Sequence, residues 1–237
     1  MEYGDKHILV LGAGASGIGA SWVLAQVGAH VVLNDYKPVT LPATEEERLV
    51  SAGVEIITGR QDESLLDGVD RIVISPGISL DIPIVKAAQA RGIDVVSEVE
   101  VAYELSKSPI VAVTGTNGKT TTTTLLTKVL EGTGKPVRVG GNIGDSLSEV
   151  AYSMPADGFL VAELSSYQLE TIKHFRPIGA IMLNITPDHL ARHKTMENYI
   201  AAKERIFENQ LSTDYLVLNI DDPVVADMEH RAPSHIL

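Results

Sequence analysis

The sequence predicts an α/β protein of two consecutive units: an N-terminal Rossmann-like doubly wound domain, and a second α/β domain entered through a P-loop-type turn. Three observations predict it. Short β-branched runs alternate with segments of helical periodicity along the chain. Glycine turns follow a strand-like run at residues 12–17 and again at 115–118. The alternation is interrupted once, near residue 107, and then restarts.

In the first unit HILVLG reads as a strand, SGIGASWVLAQVG as a helix and AHVVLND as a strand. TEEERLVSAG, VEIIT, RIVISPG, PIVKAAQARG and DVVS continue the pattern. A helix-like EVEVAYEL and the punctuating SKSP close this unit, so the expected domains are 1–107 and 108–237. The second unit runs IVAVTG, a threonine-rich helix, VRVGG, FLVAEL, GAIMLNI, a helix over 197–210, and YLVLNI. PSHIL stands where the alternation expects an incoming strand, so this P-loop-type ATPase α/β domain reads as C-terminally incomplete.

Composition narrows the function. A chain of 237 residues, 44% of them hydrophobic, can bury two cores. Its 31 acids against 19 bases give a formal charge of −12, which argues against nucleic-acid or anionic-membrane binding, both of which want basic patches. Without cysteine there is no disulfide, no zinc-thiolate site and no thiol nucleophile, which suits a cytoplasmic location. The N-terminus lacks a basic n-region, and no segment approaches ~18 continuous apolar residues, so membrane insertion is not expected.

Residues 12–17, GAGASG, fit G-x-G-x-x-G after a strand, and Asp35 closes the next strand about 20 residues on. Taken alone, this reads as a nicotinamide dinucleotide site of an oxidoreductase, or as a tight turn whose glycines only permit close packing. RIVI ends in SPGIS, a further glycine turn at the carboxyl edge of the same sheet.

The stretch VAVTGTNGKTTTTT at 111–124 changes the balance. A strand that ends in a glycine turn and opens a helix presents unpaired N–H groups and a partial positive charge to an anion. Lys119 adds a full charge, and Thr120, directly after it, stands where P-loop proteins put a Mg²⁺ ligand. The pattern departs from G-x-x-x-x-G-K-[ST] at Val113, which replaces the first glycine. Threonines are poor helix formers, so a run of five suggests hydroxyls wanted at the helix start. Hydride transfer has no use for such a cradle. Glu163, at the end of the strand in FLVAELSSYQLE, holds the position from which P-loop proteins direct an acid at Mg²⁺. His189 lies in the loop after GAIMLNI at the same sheet edge, while Lys203 on YIAAKERIF reads by spacing as a solvated helical lysine.

GTNGKTTT at 115–122, GGNIG at 140–144, ELSSYQLE at 163–170, NITPDHLARH at 184–193 and MENYIAAKERIF at 196–207 together resemble the Mur ligase family. The similarity runs from about residue 7 to the end, over about the first half of a member; the family's third, C-terminal domain is absent. One departure is local: the family's usual DHLDRH is DHLARH here, with Ala191 for the aspartate.

The resemblance implies that the first domain holds the uridine diphosphate of UDP-N-acetylmuramoyl-L-alanine, not NAD. Ser16 would lie near the diphosphate, with Asp35, Lys37 and Gly77 around the nucleotide. Asn142, Ser165, Gln168 and His189 would line the muramoyl-alanine arm. Gly115, Thr116, Asn117, Gly118, Lys119, Thr120 and Thr121 would hold ATP. Thr120, Glu163, His189 and Lys203 would serve two Mg²⁺ sites, Lys203 as a CO₂-derived carbamate, since an ammonium offers only donors and repels a metal. Lys119, Glu163, His189 and Lys203 are thus the implied catalytic set. The implied reaction joins the alanine carboxylate to D-glutamate through an acyl phosphate, in a monomer. A different class of function remains beside it: a polypeptide that binds the UDP-substrate without turnover.

Overall fold

The computed structural model describes residues 3–237 and shows two parallel sheets. The first contains β1 (His7–Leu11), β2 (His30–Asp35), β3 (Glu55–Thr58), β4 (Arg71–Ile74) and β5 (Asp94–Ser97), in the order β3-β2-β1-β4-β5. Helices α1 (Ala15–Gln26), α2 (Ala43–Ser51) and α3 (Pro83–Ala90) connect them. Ile8–Leu11 and Arg71–Ile74 are buried throughout, as expected of central parallel strands covered on both faces. Two apolar clusters result, one around Val10, Leu24 and Leu33 and one around Leu9, Ile72 and Val85. The strand order reverses between β1 and β4, so the loops after them diverge and leave a crevice at the carboxyl edge.

The second sheet has the order β11-β10-β9-β6-β8-β7. Its strands are β6 (Ile110–Thr114), β7 (Val137–Gly141), β8 (Phe159–Glu163), β9 (Gly179–Met182), β10 (Tyr215–Leu218) and β11 (His235–Ile236). The strand expected at PSHIL is present as the two-residue β11, paired with β10. The helices are α5 (Lys119–Glu131), α6 (Leu147–Ser153), α7 (Ser166–Leu169), α8 (Leu190–His193), α9 (Met196–Glu204) and α10 (Pro223–Ala226). α9 is shorter than the 197–210 expected, because the chain tightens into a 3₁₀ turn at Arg205–Phe207. Here β6 is the switch strand, flanked by β8 and β9, so the glycine turn, Glu163 and the loop after β9 share one edge.

Helix α4 (Glu98–Leu105) joins the two sheets, and its residues divide between their cores: Val101 packs with the first, Val99 and Ala102 with the second. Its acids are tied to separate elements. Glu104 pairs with Arg71 at 2.9 Å. Glu98 meets the start of α6. Glu100, fully buried, accepts from the N–H groups of Lys173 and His174 at 2.7 Å and of Phe175 at 3.1 Å. Glu100→Ala would leave three backbone donors unsatisfied at once, and should destabilise the chain by about 3 kcal/mol in denaturant melts. A change below about 0.5 kcal/mol would mean that water replaces the carboxylate there.

Candidate active site

The turn after β1 is shaped by close packing. A Cβ on Gly17 would overlap the carbonyl oxygen of Gly12, so α1 can approach the strand only through glycine. Asp35, at the end of β2, secures this turn: its carboxylate accepts from the N–H of Ala13 and of Lys37, each at 3.0 Å. Beside it opens a cavity of ≈ 650 Å³ lined by Asp35, Tyr36, Lys37, Gln61, Gly77 and Ile78, among others. A second cavity of ≈ 470 Å³ shares Asp35, Gly77 and Ile78 with the first and extends past Ser16 to Asn142, Gly144 and Gln168 of the second unit. The structure thus gathers Ser16, Asp35, Lys37, Gly77, Asn142 and Gln168 along one continuous crevice. Ser165 and Gln168 also form a capping box that starts α7, with Gln168 Oε1 accepting from both the N–H and the hydroxyl of Ser165.

Across from it, Gly118 adopts φ 83°, a left-handed conformation that glycine enters without a Cβ penalty, and caps α5. Lys119 folds back over the turn, donating to the carbonyls of Gly115 at 3.0 Å and Thr116 at 2.8 Å. Lys203, only 2% exposed, reaches the same Gly115 oxygen at 2.8 Å from α9 and lies 3.4 Å from the Thr114 hydroxyl. Burial, and secondarily the charge of Lys119, push its amine down from 10.5 to about 7, with Asp188 opposing. Among the described residues neither lysine forms an ion pair. Glu163, 1% exposed, accepts from Asn142 Nδ2 at 2.8 Å through Oε1, while its Oε2 is buried without a partner.

Within the threonine run, Thr120 and Thr121 expose their side chains at the helix start, Thr123 is buried with its hydroxyl unpartnered, and Thr124 returns its hydroxyl to the Thr120 carbonyl at 2.8 Å. His189 is left-handed at φ 53° and partly exposed, with its ring 4.8 Å from that of Tyr167. Arg192 is paired with Glu170, stacks over Tyr167 and donates to the Ile78 carbonyl at 2.7 Å, which ties the loop to the first unit. His193 Nε2 lies 2.9 Å from the Ser166 hydroxyl, and burial lowers its pKa. Among the described residues no three His, Asp or Glu side chains gather closely enough to form a metal cluster by themselves.

The sequence reading missed Asn184, which clamps the glycine turn by accepting from Asn117 N–H at 2.8 Å and donating to its carbonyl at 3.0 Å. It also missed Tyr199, whose hydroxyl meets Thr116 at 3.1 Å, and Arg192. Only the polar loop NITPDHLARH, directly after a strand, hinted at two of them.

Family models match on both units. Residues 6–97 match the Mur ligase MurD-like N-terminal domain, and residues 113–236 match the Mur ligase middle domain. The chain belongs to the Mur ligase family. It is 48% identical over 236 residues to a UDP-N-acetylmuramoylalanine--D-glutamate ligase of Caldanaerobacter subterraneus subsp. tengcongensis, and 43% identical to the protein of that name in Geobacter metallireducens. Each alignment covers 100% of this chain and 52% of the relative, so the chain spans about half the length of the curated relatives it matches. Among solved structures, the Neisseria meningitides UDP-N-acetylmuramate:L-alanyl-gamma-D-glutamyl-meso-diaminopimelate ligase superposes with a TM-score of 0.67 at 21% identity, over 98% of this chain and 77% of that one. That likeness bears on the fold: two Mur ligase domains with parallel sheets.

Proposed function

We propose that this chain supplies the nucleotide-substrate and ATP domains of a ligase that joins D-glutamate to UDP-N-acetylmuramoyl-L-alanine for peptidoglycan precursor synthesis. One observation carries the reading: the amines of Lys119 and Lys203 converge on a single carbonyl of a glycine turn, and neither has an ion-pair partner among the described residues. The charge of Lys119 at the start of α5 is thus available to an incoming anion.

A carboxylate is a poor electrophile, so ATP first transfers its γ-phosphoryl group to the alanine carboxylate. The amine of D-glutamate then attacks the acyl phosphate and expels phosphate. Bringing the two anions together at about 4 Å costs ~4 kcal/mol per unit-charge pair at an effective dielectric near 20. Lys119 offsets that repulsion and the start of α5 receives the phosphates. The donor set fits Mg²⁺, a hard cation: the unpartnered Oε2 of Glu163 and the exposed hydroxyl of Thr120 would hold it, and His189 and Lys203 are the further proposed members of the set. Bound there, the metal would neutralise phosphate charge. Lys203 with a pKa of about 7 presents a substantial neutral fraction near neutral pH, the form that combines with CO₂ to give a carbamate and a proton.

The cytoplasm, where UDP-precursors and ATP meet, is the proposed location, and the proposed state is a monomer. No helix among the described residues is long and apolar enough to cross a membrane. Phosphate release that requires UDP-N-acetylmuramoyl-L-alanine, D-glutamate and ATP together tests the ligase reading in the full-length enzyme. Because the chain spans half the length of its relatives, a second reading is kept for the 237-residue polypeptide alone: saturable binding of the UDP-substrate without turnover. The nicotinamide reading of GAGASG predicts fluorescence-detected binding of reduced cofactor, and none is expected.

Asp35→Ala should weaken the UDP-substrate about tenfold, or 1.4 kcal/mol, while sparing ATP. The carboxylate shapes the turn beside the larger cavity and has no contact with the glycine turn of the second unit. Calorimetry with each ligand checks this, and equal losses for both would sink it.

A further inference from the structure

Glu98 lies at the seam between the two units, 2% exposed, and its carboxyl is used on one side only. Oε1 accepts from the Ser146 hydroxyl at 2.6 Å, the Ser148 N–H at 2.9 Å and the Ser148 hydroxyl at 3.0 Å. Oε2 is buried and has no hydrogen-bond partner. The Ser16 hydroxyl also acts on the carboxyl, although no well-formed hydrogen bond joins them. The two units meet tightly here: a Cβ on Gly19 of α1 would overlap the side chain of Ser146.

The charged groups on the elements packed around Glu98 are committed elsewhere. Glu149 of α6 is paired with Arg48, Arg71 of β4 with Glu104, and Asp94 of β5 with Lys173. Glu100, on its own helix, serves the backbone of residues 173–175. Helices α1 and α7 bring no charged side chain. An ionised carboxylate with one oxygen buried, bare and without a counter-charge is costly. Burial accordingly pushes Glu98 above the ordinary carboxylate range, against the donors on Oε1.

A proton on this group belongs on Oε2, the oxygen no donor occupies, and makes it a donor in turn. Ser16, which acts on this carboxyl and lines the smaller cavity together with Asn142 and Gly144, can accept that proton's hydrogen bond. A serine hydroxyl that accepts from a buried acid turns its own hydrogen away from that acid, toward the cavity. An ionised Glu98 would do the reverse, capturing the Ser16 hydrogen and repelling an anion.

We propose that Glu98 is a positioning residue that works as a neutral acid, donating to Ser16 and so aiming the Ser16 hydroxyl at the diphosphate of a nucleotide bound between residues 12–17 and 141–144. The inference rests on the reading of these cavities as a uridine diphosphate site.

The test is calorimetry of UDP with the 237-residue chain. Glu98→Ala should weaken UDP about tenfold, as expected for one lost hydrogen bond to a charged group. Glu98→Gln should restore affinity to within about threefold of wild type, since its amide keeps an acceptor on one side and a donor on the other. Ser16→Ala should lose as much in the Glu98→Gln background as in wild type. Infrared difference spectra should show a protonated-carboxyl stretch at neutral pH that Glu98→Gln removes, and this decides the charge state even if Glu98→Ala fails to fold. A Glu98→Gln protein as weak as Glu98→Ala, or the absence of that band, overturns the proposal. Failure of wild type to bind UDP would instead overturn the uridine diphosphate reading and the role of Ser16 with it, leaving the band to decide the charge of Glu98 separately.

Discussion

Lys119→Ala in the full-length enzyme is expected to slow ATP-dependent phosphate release about a thousandfold, the loss typical of removing a charge-stabilising donor from a phosphoryl-transfer site. Affinity for the UDP-substrate should stay within about twofold, because distant sites without shared partners behave independently. The argument is geometric. Lys119 Nζ rests on the Gly115 and Thr116 carbonyls of the second unit, while both cavities of the crevice are lined without it. A further readout separates lost charge from lost structure. The charge of Lys119 is one cause of the lowered pKa of Lys203, so Lys203 should titrate higher in Lys119→Ala, as NMR of labelled lysine would show. A tenfold loss of UDP-substrate affinity would mean that the two sites are not separable as claimed.

Much of this arrangement was legible in the sequence because local chemistry dictates it. The β-branched runs, alternating with helical periodicity, read as strands of α/β units, and the glycine turn at 115–118 opens a helix that Gly118 caps at φ 83°. GAGASG fixes a βα turn whichever nucleotide it serves, which is why its ligand could not be read from those six residues. Other features depend on contacts distant in sequence. Lys203 sits in MENYIAAKE, a helix with no marked apolar face, and only the packing of α9 against the edge of β6 buries its amine. Arg192 matters because its partners, Glu170 and Ile78, come from 22 and 114 residues away. Not every hydroxyl of the threonine run is offered to a ligand: Thr124 returns its own to the preceding turn and Thr123 is buried, while Thr120 and Thr121 are exposed at the helix start.

Lys203 is where stability and activity should move in opposite directions. Its amine is buried against the Gly115 carbonyl and the Thr114 hydroxyl, with the Lys119 charge nearby, and its pKa falls from 10.5 to about 7. The unfolded chain then binds more protons than the folded one between those values, so the contribution of Lys203 to stability rises with pH through that window. Lys203→Met keeps the packing, removes the buried amine and should raise the thermal midpoint at neutral pH by several degrees, an effect that shrinks as pH approaches 10. The same substitution should abolish phosphate release in the full-length enzyme, because an apolar thioether can neither become a carbamate nor offer oxygen to a hard cation. Lys203→Ala should be equally inactive but regain part of its turnover in concentrated acetate, which can occupy the space with a carboxylate. Lys203→Arg should not respond, since its guanidinium fills that space and retains the positive charge. Wild-type turnover in Lys203→Ala would sink the catalytic role, and a Lys203→Met protein no more stable than wild type at neutral pH would show that the amine carries no burial penalty.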